Sequence, residues 1–196
     1  MILLSLTNCR RLIQIIALLP ALLMVVPVRA LPPDKIEVVQ VSLDPFEDGW
    51  AVNAQFEFVL KPNLEEALEH ALLPLYFEVE FELTRPRWYW FDEKSVAAHL
   101  TYRLSYQPLT HEYRISTGSL HVNFATLNDA MGFLMRLRDW KVLDRNSIKP
   151  GETYIAALRM HFDTSQLPKP FQLNAFTSRE WVLESDWKRF SFEVTR

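Results

Sequence analysis

The chain has 196 residues, 24 acidic side chains against 21 lysines and arginines, a net charge of −3, one cysteine and four glycines. That balance argues against a nucleic-acid binder, which needs basic surface to neutralise phosphates. It also argues against phosphate-cradling chemistry. No P-loop, dinucleotide fingerprint or glycine-flanked serine elbow occurs in the sequence.

The chain opens on a targeting pattern. Arg10 and Arg11 precede an apolar run from Leu12 to Val26, and Val28-Arg29-Ala30 then places small residues where a signal peptidase reads. This order predicts a secretory signal peptide over residues 1–30, cleaved to leave Leu31 at the new N-terminus. The run is about 15 residues, short of the roughly 20 that span a bilayer. Left uncleaved, the same segment would instead anchor the protein in the inner membrane, with Arg10 and Arg11 on the cytoplasmic side. The expected location is the periplasm, with the anchored form as the alternative. Cys9 lies before the apolar run, so it is not placed as a lipidation site, and cleavage would leave no thiol for nucleophilic chemistry. Residues 31–196 read as a single domain, long enough to bury its own core.

Alternation of apolar and polar residues dominates the remainder of the chain. Trp50, Val52, Ala54, Phe56, Phe58 and Leu60 share one phase. Leu75, Phe77, Val79, Phe81 and Leu83 share another, with Glu78, Glu80 and Glu82 opposite. Val96 to Tyr106 and Tyr154 to Phe162 repeat the pattern. Shorter strands are expected at 36–43, 112–117, 119–124, 171–176 and 187–194. Asp48-Gly49, Thr117-Gly118 and Pro150-Gly151 mark turns. Phe56, Phe58, Phe77, Phe81, Leu100, Leu158 and Met160 are the expected core.

Two segments switch to helical period. Asn63 with Glu66 resembles a capping box ahead of Leu64, Ala67, Leu68, Ala71 and Leu72, and Pro74 stops that helix. Thr126 with Asp129 repeats the signal ahead of Leu127, Ala130, Met131, Leu134 and Leu137. Strands near ten residues with no βαβ rhythm predict a mainly β protein, an immunoglobulin-like antiparallel β-sandwich with two short α-helices.

Four clusters bear on function. Arg87, Trp88, Tyr89, Trp90 and Phe91 concentrate flat rings beside an arginine, a composition that stacks on sugar rings or anchors a protein contact. A strand buried on both faces would carry the same run. Glu78, Glu80 and Glu82 form a carboxylate row. The next strand carries His99, Thr101 and Arg103 on its polar face, and Arg114 comes later, so a salt-bridged, solvated sheet face is expected. His161 and Asp163 alternate on one strand, but His99, His111 and His121 are too scattered to complete a metal site with them. Leu167-Pro168-Lys169-Pro170-Phe171 reads as a sheet-crossing linker with Phe171 plugging the core. No catalytic, cofactor-binding or metal-binding residue is assigned, and no cofactor is expected.

Four stretches together resemble the DUF4390 family of proteobacterial exported proteins. They are Arg87-Trp88-Tyr89-Trp90-Phe91-Asp92-Glu93, Tyr102 to Thr110, Leu158-Arg159-Met160 and Leu167 to Leu173, joined by Trp181 and Trp187. The resemblance implies a Gram-negative cell envelope and no assigned reaction. It also implies genes set beside membrane sensor histidine kinases, which makes such a kinase a candidate partner. The combined expectation is a non-catalytic periplasmic binding or interaction module whose partner is an envelope protein. It has no nucleic-acid partner and touches the membrane only through an uncleaved signal segment. The alternatives are an envelope enzyme or carrier for a glycan or lipid, and an N-terminally anchored structural protein.

Overall fold

Nine strands form two antiparallel sheets in a computed structural model that describes residues 35–70, 72–87 and 93–193. The smaller sheet has the order β1-β2-β7, from β1 (Glu37–Phe46), β2 (Gly49–Glu57) and β7 (Arg136–Asp144). The larger has the order β6-β5-β4-β3-β8-β9. Its members are β3 (Leu75–Arg85), β4 (Glu93–Gln107), β5 (Glu112–Thr117), β6 (Leu120–Phe124), β8 (Thr153–Phe162) and β9 (Lys188–Glu193). The protein is mainly β and sandwich-like. Its division into three and six strands differs from the four and three of an immunoglobulin constant domain.

Period-two alternation explains the core. Every odd residue from Leu75 to Leu83 is buried, as are Tyr154, Ala156, Leu158, Met160 and Phe162 on the neighbouring β8. Val52, Ala54 and Phe56 of the small sheet join the same hydrophobic cluster. Of the expected core residues, Phe56, Phe58, Phe77, Phe81, Leu158 and Met160 are buried, and Leu100 packs against the cluster partly exposed.

Among the described residues three helices, not two, accompany the sheets: α1 (Pro62–Glu69), α2 (Leu127–Leu134) and α3 (Lys169–Thr177). The Asn63 capping box does not form. Lys61 is the N-cap of α1 and makes no side-chain cap bond, because Pro62 starts the helix early. The Asn63 side-chain nitrogen Nδ2 is instead buried without a partner among the described residues. The Thr126 cap does form: its hydroxyl oxygen accepts from the Asp129 amide at 3.1 Å and its O–H donates to the Asp129 carboxylate at 2.6 Å. The segment expected as a strand at 171–176 lies in α3. Pro168 and Pro170 sit at its start, where missing N–H groups cost no intrahelical bond. The expected linker there is therefore the entry to a helix, although Phe171 does pack on the core and against the Trp181 ring at 6.0 Å.

Strand β7 departs most from expectation. Leu137, expected on the face of α2, belongs to β7 and pairs with Ala54. Register shifts fall between Val52 and Ala54 and between Trp50 and Ala51 of its partner, and Asp139 has φ 52°. Each bulge inserts an extra residue and breaks the period. The β1–β2 turn residues are Glu47 and Asp48, since Phe46 pairs with Gly49. Gly49 serves a different need: a Cβ there would lie 2.0 Å from the Leu143 carbonyl oxygen.

The two sheets are unequal in width. Strand β1 lies against β8 and β9, and β7 lies against β4. Strands β5 and β6 therefore project beyond the small sheet, and α2 lies against both, between them and β7.

Candidate functional site

Arg87 lies just past the end of β3, and Trp88, Tyr89, Trp90 and Phe91 lie outside the described residues. At the base of this segment Arg85 holds Glu152 with one guanidinium nitrogen donating to both carboxylate oxygens at 3.1 and 2.8 Å.

The carboxylate row on β3 faces away from the core, as its phase requires. Its partners come from both flanking strands. Glu80 stands opposite His99 of β4 and Arg159 of β8, and Glu78 stands opposite Thr101 and His161. Arg159 donates to both oxygens of Glu80 at 2.8 and 2.9 Å, and its guanidinium lies 4.7 Å from the centre of the Trp187 ring. Glu78 is held between His99 Nδ1 at 3.1 Å and His161 Nε2 at 3.5 Å. Burial pushes the Glu80 carboxyl upward. The Arg159 hydrogen bonds and charge, with His161 and His99, outweigh it and leave the carboxyl below its ordinary range. The expected salt-bridged face exists, but its strongest cation, Arg159, was not among its expected members. Arg114 instead donates to Asn123 Oδ1 at 2.9 Å, and Arg103 stands opposite Tyr76.

Glu78, Glu80 and His161 could each bring one ligand atom to within 4.8 Å of the others. Both Glu80 oxygens already accept from Arg159, so a protein cation fills that role. His161 is thus grouped with β3 and not with Asp163, whose carboxylate accepts from the Ser165 amide to cap a short turn.

A second feature arises where the large sheet overhangs the small one. A groove of about 720 Å³ is lined by Tyr102, Phe124, Asn128, Asp129, Gly132, Phe133, Arg136 and Arg138. Phe124 and Phe133 meet with ring centres 5.4 Å apart and form one wall. Burial holds the Tyr102 phenol above its ordinary pKa, so it faces the groove uncharged. Arg136 and Arg138 are exposed and make no ion pair among the described residues. They also line a smaller polar hollow with Gln40, Ser42, Asn53 and Gln55. Sequence reasoning missed this site because it carried the helical stripe of α2 on to Leu137, which left no strand to present Arg136 and Arg138. Trp140 and Val142, two residues apart, were the signal available for the strand.

Beyond the groove the inner face of β6 is bare. Leu120 and Val122 share the phase of Phe124, yet are 75% and 44% exposed, whereas Ile115 beside Val122 is buried. Strand β6 ends the sheet, with no strand on its other edge among the described residues.

No curated protein and no solved structure matches the chain. One family model does, over residues 33–191, which takes in both sheets up to Ser191 of β9 and all three helices. The chain therefore belongs to the DUF4390 family, a domain of unknown function.

Proposed function

We propose that the chain is an exported, non-catalytic interaction module of the periplasm that engages another cell-envelope protein through the free β6 edge. The observation that carries this reading is the uncovered row of Leu120 and Val122 on an end strand. Such an edge offers a ladder of unpaired amides and carbonyls, with alternate side chains to set register. Export rests on the Arg10 to Ala30 pattern. The ectodomain of a membrane sensor kinase is the candidate partner that the family resemblance implies.

The test is in-cell crosslinking of the full-length protein, comparing wild type with Leu120→Glu and with His121→Pro, since His121 sits in a non-hydrogen-bonded pair with Ser116 and its N–H faces the free edge. The expected result is loss of one discrete crosslinked species from folded variants. Unchanged crosslinking would remove β6 as the surface. Trp90→Ala in the same assay examines the rival surface at Arg87, Trp88, Tyr89, Trp90 and Phe91. N-terminal sequencing of periplasmic protein should begin at Leu31, and intact Met1 in washed membranes would instead establish the anchored form.

A further inference from the structure

We propose that the groove between α2, β6 and the edge of β7 is a binding site for a single-chain carboxylate amphiphile. Its chain lies on Tyr102, Phe124 and Phe133, and its head group meets Arg136 and Arg138. This inference goes beyond the protein-contact reading and does not depend on it.

The size suits the occupant, since small-ligand sites typically enclose about 300–1,000 Å³ between apolar walls and a few placed polar groups. The groove has that composition, with three aromatic side chains and two guanidinium groups. Guanidinium groups match carboxylates in charge and in the geometry of their donors. Neither arginine has an ion-pair partner among the described residues, so both guanidinium groups can take an anion at the groove. Asp129 also lines the groove, with its carboxylate engaged by Thr126. Two positive charges and one negative suit a monoanion better than a dianion.

Gly132 gives an independent indication. It occupies the interior of α2, where glycine is a poor helix former. A Cβ there would meet no atom within 4 Å, so no steric need excludes alanine. What the missing side chain does is leave the groove open along its helical wall. An added peptide strand is the poorer occupant, because the bulge at Arg138 and Asp139 breaks the ladder of β7 where it borders the groove.

Calorimetric titration of the purified protein tests this with four probes below their micellar concentrations: dodecanoate, dodecyltrimethylammonium, dodecyl phosphate and acetate. Dodecanoate should bind saturably, acetate should not bind, and the ammonium probe should bind at least about tenfold more weakly. Arg136→Gln with Arg138→Gln should lower dodecanoate affinity about tenfold or more without moving the thermal midpoint. Gly132→Leu, which fills the groove from the helix, should abolish binding in a protein that still melts cooperatively. Equal binding of the anionic and cationic probes would overturn the proposal. So would undiminished dodecanoate binding by the folded variants, and tighter binding of dodecyl phosphate would overturn the carboxylate assignment.

Discussion

Strands β3 and β6 belong to one sheet and turn the same kind of apolar row toward the same side, yet their fates differ. Phe77, Val79, Phe81 and Leu83 are wholly buried, whereas Leu120 and Val122 are exposed. The side-chain pattern does not account for this. Position does: β3 lies between β4 and β8, beneath the small sheet, and β6 is the last strand of six. At about 4.8 Å per strand, the large sheet is roughly 14 Å wider than the three strands opposite it. The helix α2 covers part of that difference and leaves a groove and a bare edge. Alternation thus states which face is apolar, while the width of the opposing layer decides whether that face is core or surface.

Substitutions along the two rows can break this comparison. Phe81→Ala should cost about 3–5 kcal/mol, because a wholly buried ring leaves a cavity at the centre of the sheet. A denaturant titration that finds under ~1 kcal/mol would mean that the inner face of β3 has been misassigned. The outer face of β3 predicts the next effect. Glu80→Gln should cost about 2 kcal/mol at neutral pH, since it removes a charged acceptor from the Arg159 fork in a partly buried network. The folded-state pKa of Glu80 is lowered, so its contribution is fully present above the unfolded value of about 4.3 and disappears as pH falls through the folded value. The stability gap between wild type and Glu80→Gln should therefore narrow on acidification. A gap that widens would contradict the Arg159 fork.

Smaller effects sharpen the contrast at the overhang. Gly132→Ala should stabilise the fold by about 1 kcal/mol, because α2 gains helix propensity and the new methyl group meets open space. A loss in thermal unfolding would show that the helix needs this glycine for packing. Leu120→Ser should change stability by no more than about 0.5 kcal/mol, as at an ordinary surface position. A cost near that of Phe81→Ala would mean that β6 is covered within the folded chain.

Several elements were legible because their signals are local. Alternation in β2, β3, β4 and β8 placed most of the core, and the Thr126–Asp129 signal placed the start of α2. The carboxylate face on β3 followed from phase alone. The elements that were misread involve contacts between distant residues. Strand β7 was hidden because its two bulges exist only in pairing with β2. Helix α3 was hidden behind Pro168 and Pro170, which suit a helix start and an irregular linker equally well. Arg159 could not be named as the partner of Glu80 until β8 was known to pair with β3 rather than with some other strand.

By itself, then, the sequence determined the mainly β class, the apolar face of each long strand, the polar face of β3 and the membership of a family whose function is unassigned. These depend on period, composition and motif, which are properties of neighbouring residues. Only the tertiary structure decided how wide each sheet is, which apolar residues stay uncovered, and that Arg136, Arg138, Tyr102, Phe124 and Phe133 meet in one groove. Those outcomes depend on strand order and on the unequal size of two packed layers, and no local pattern along the chain encodes either quantity.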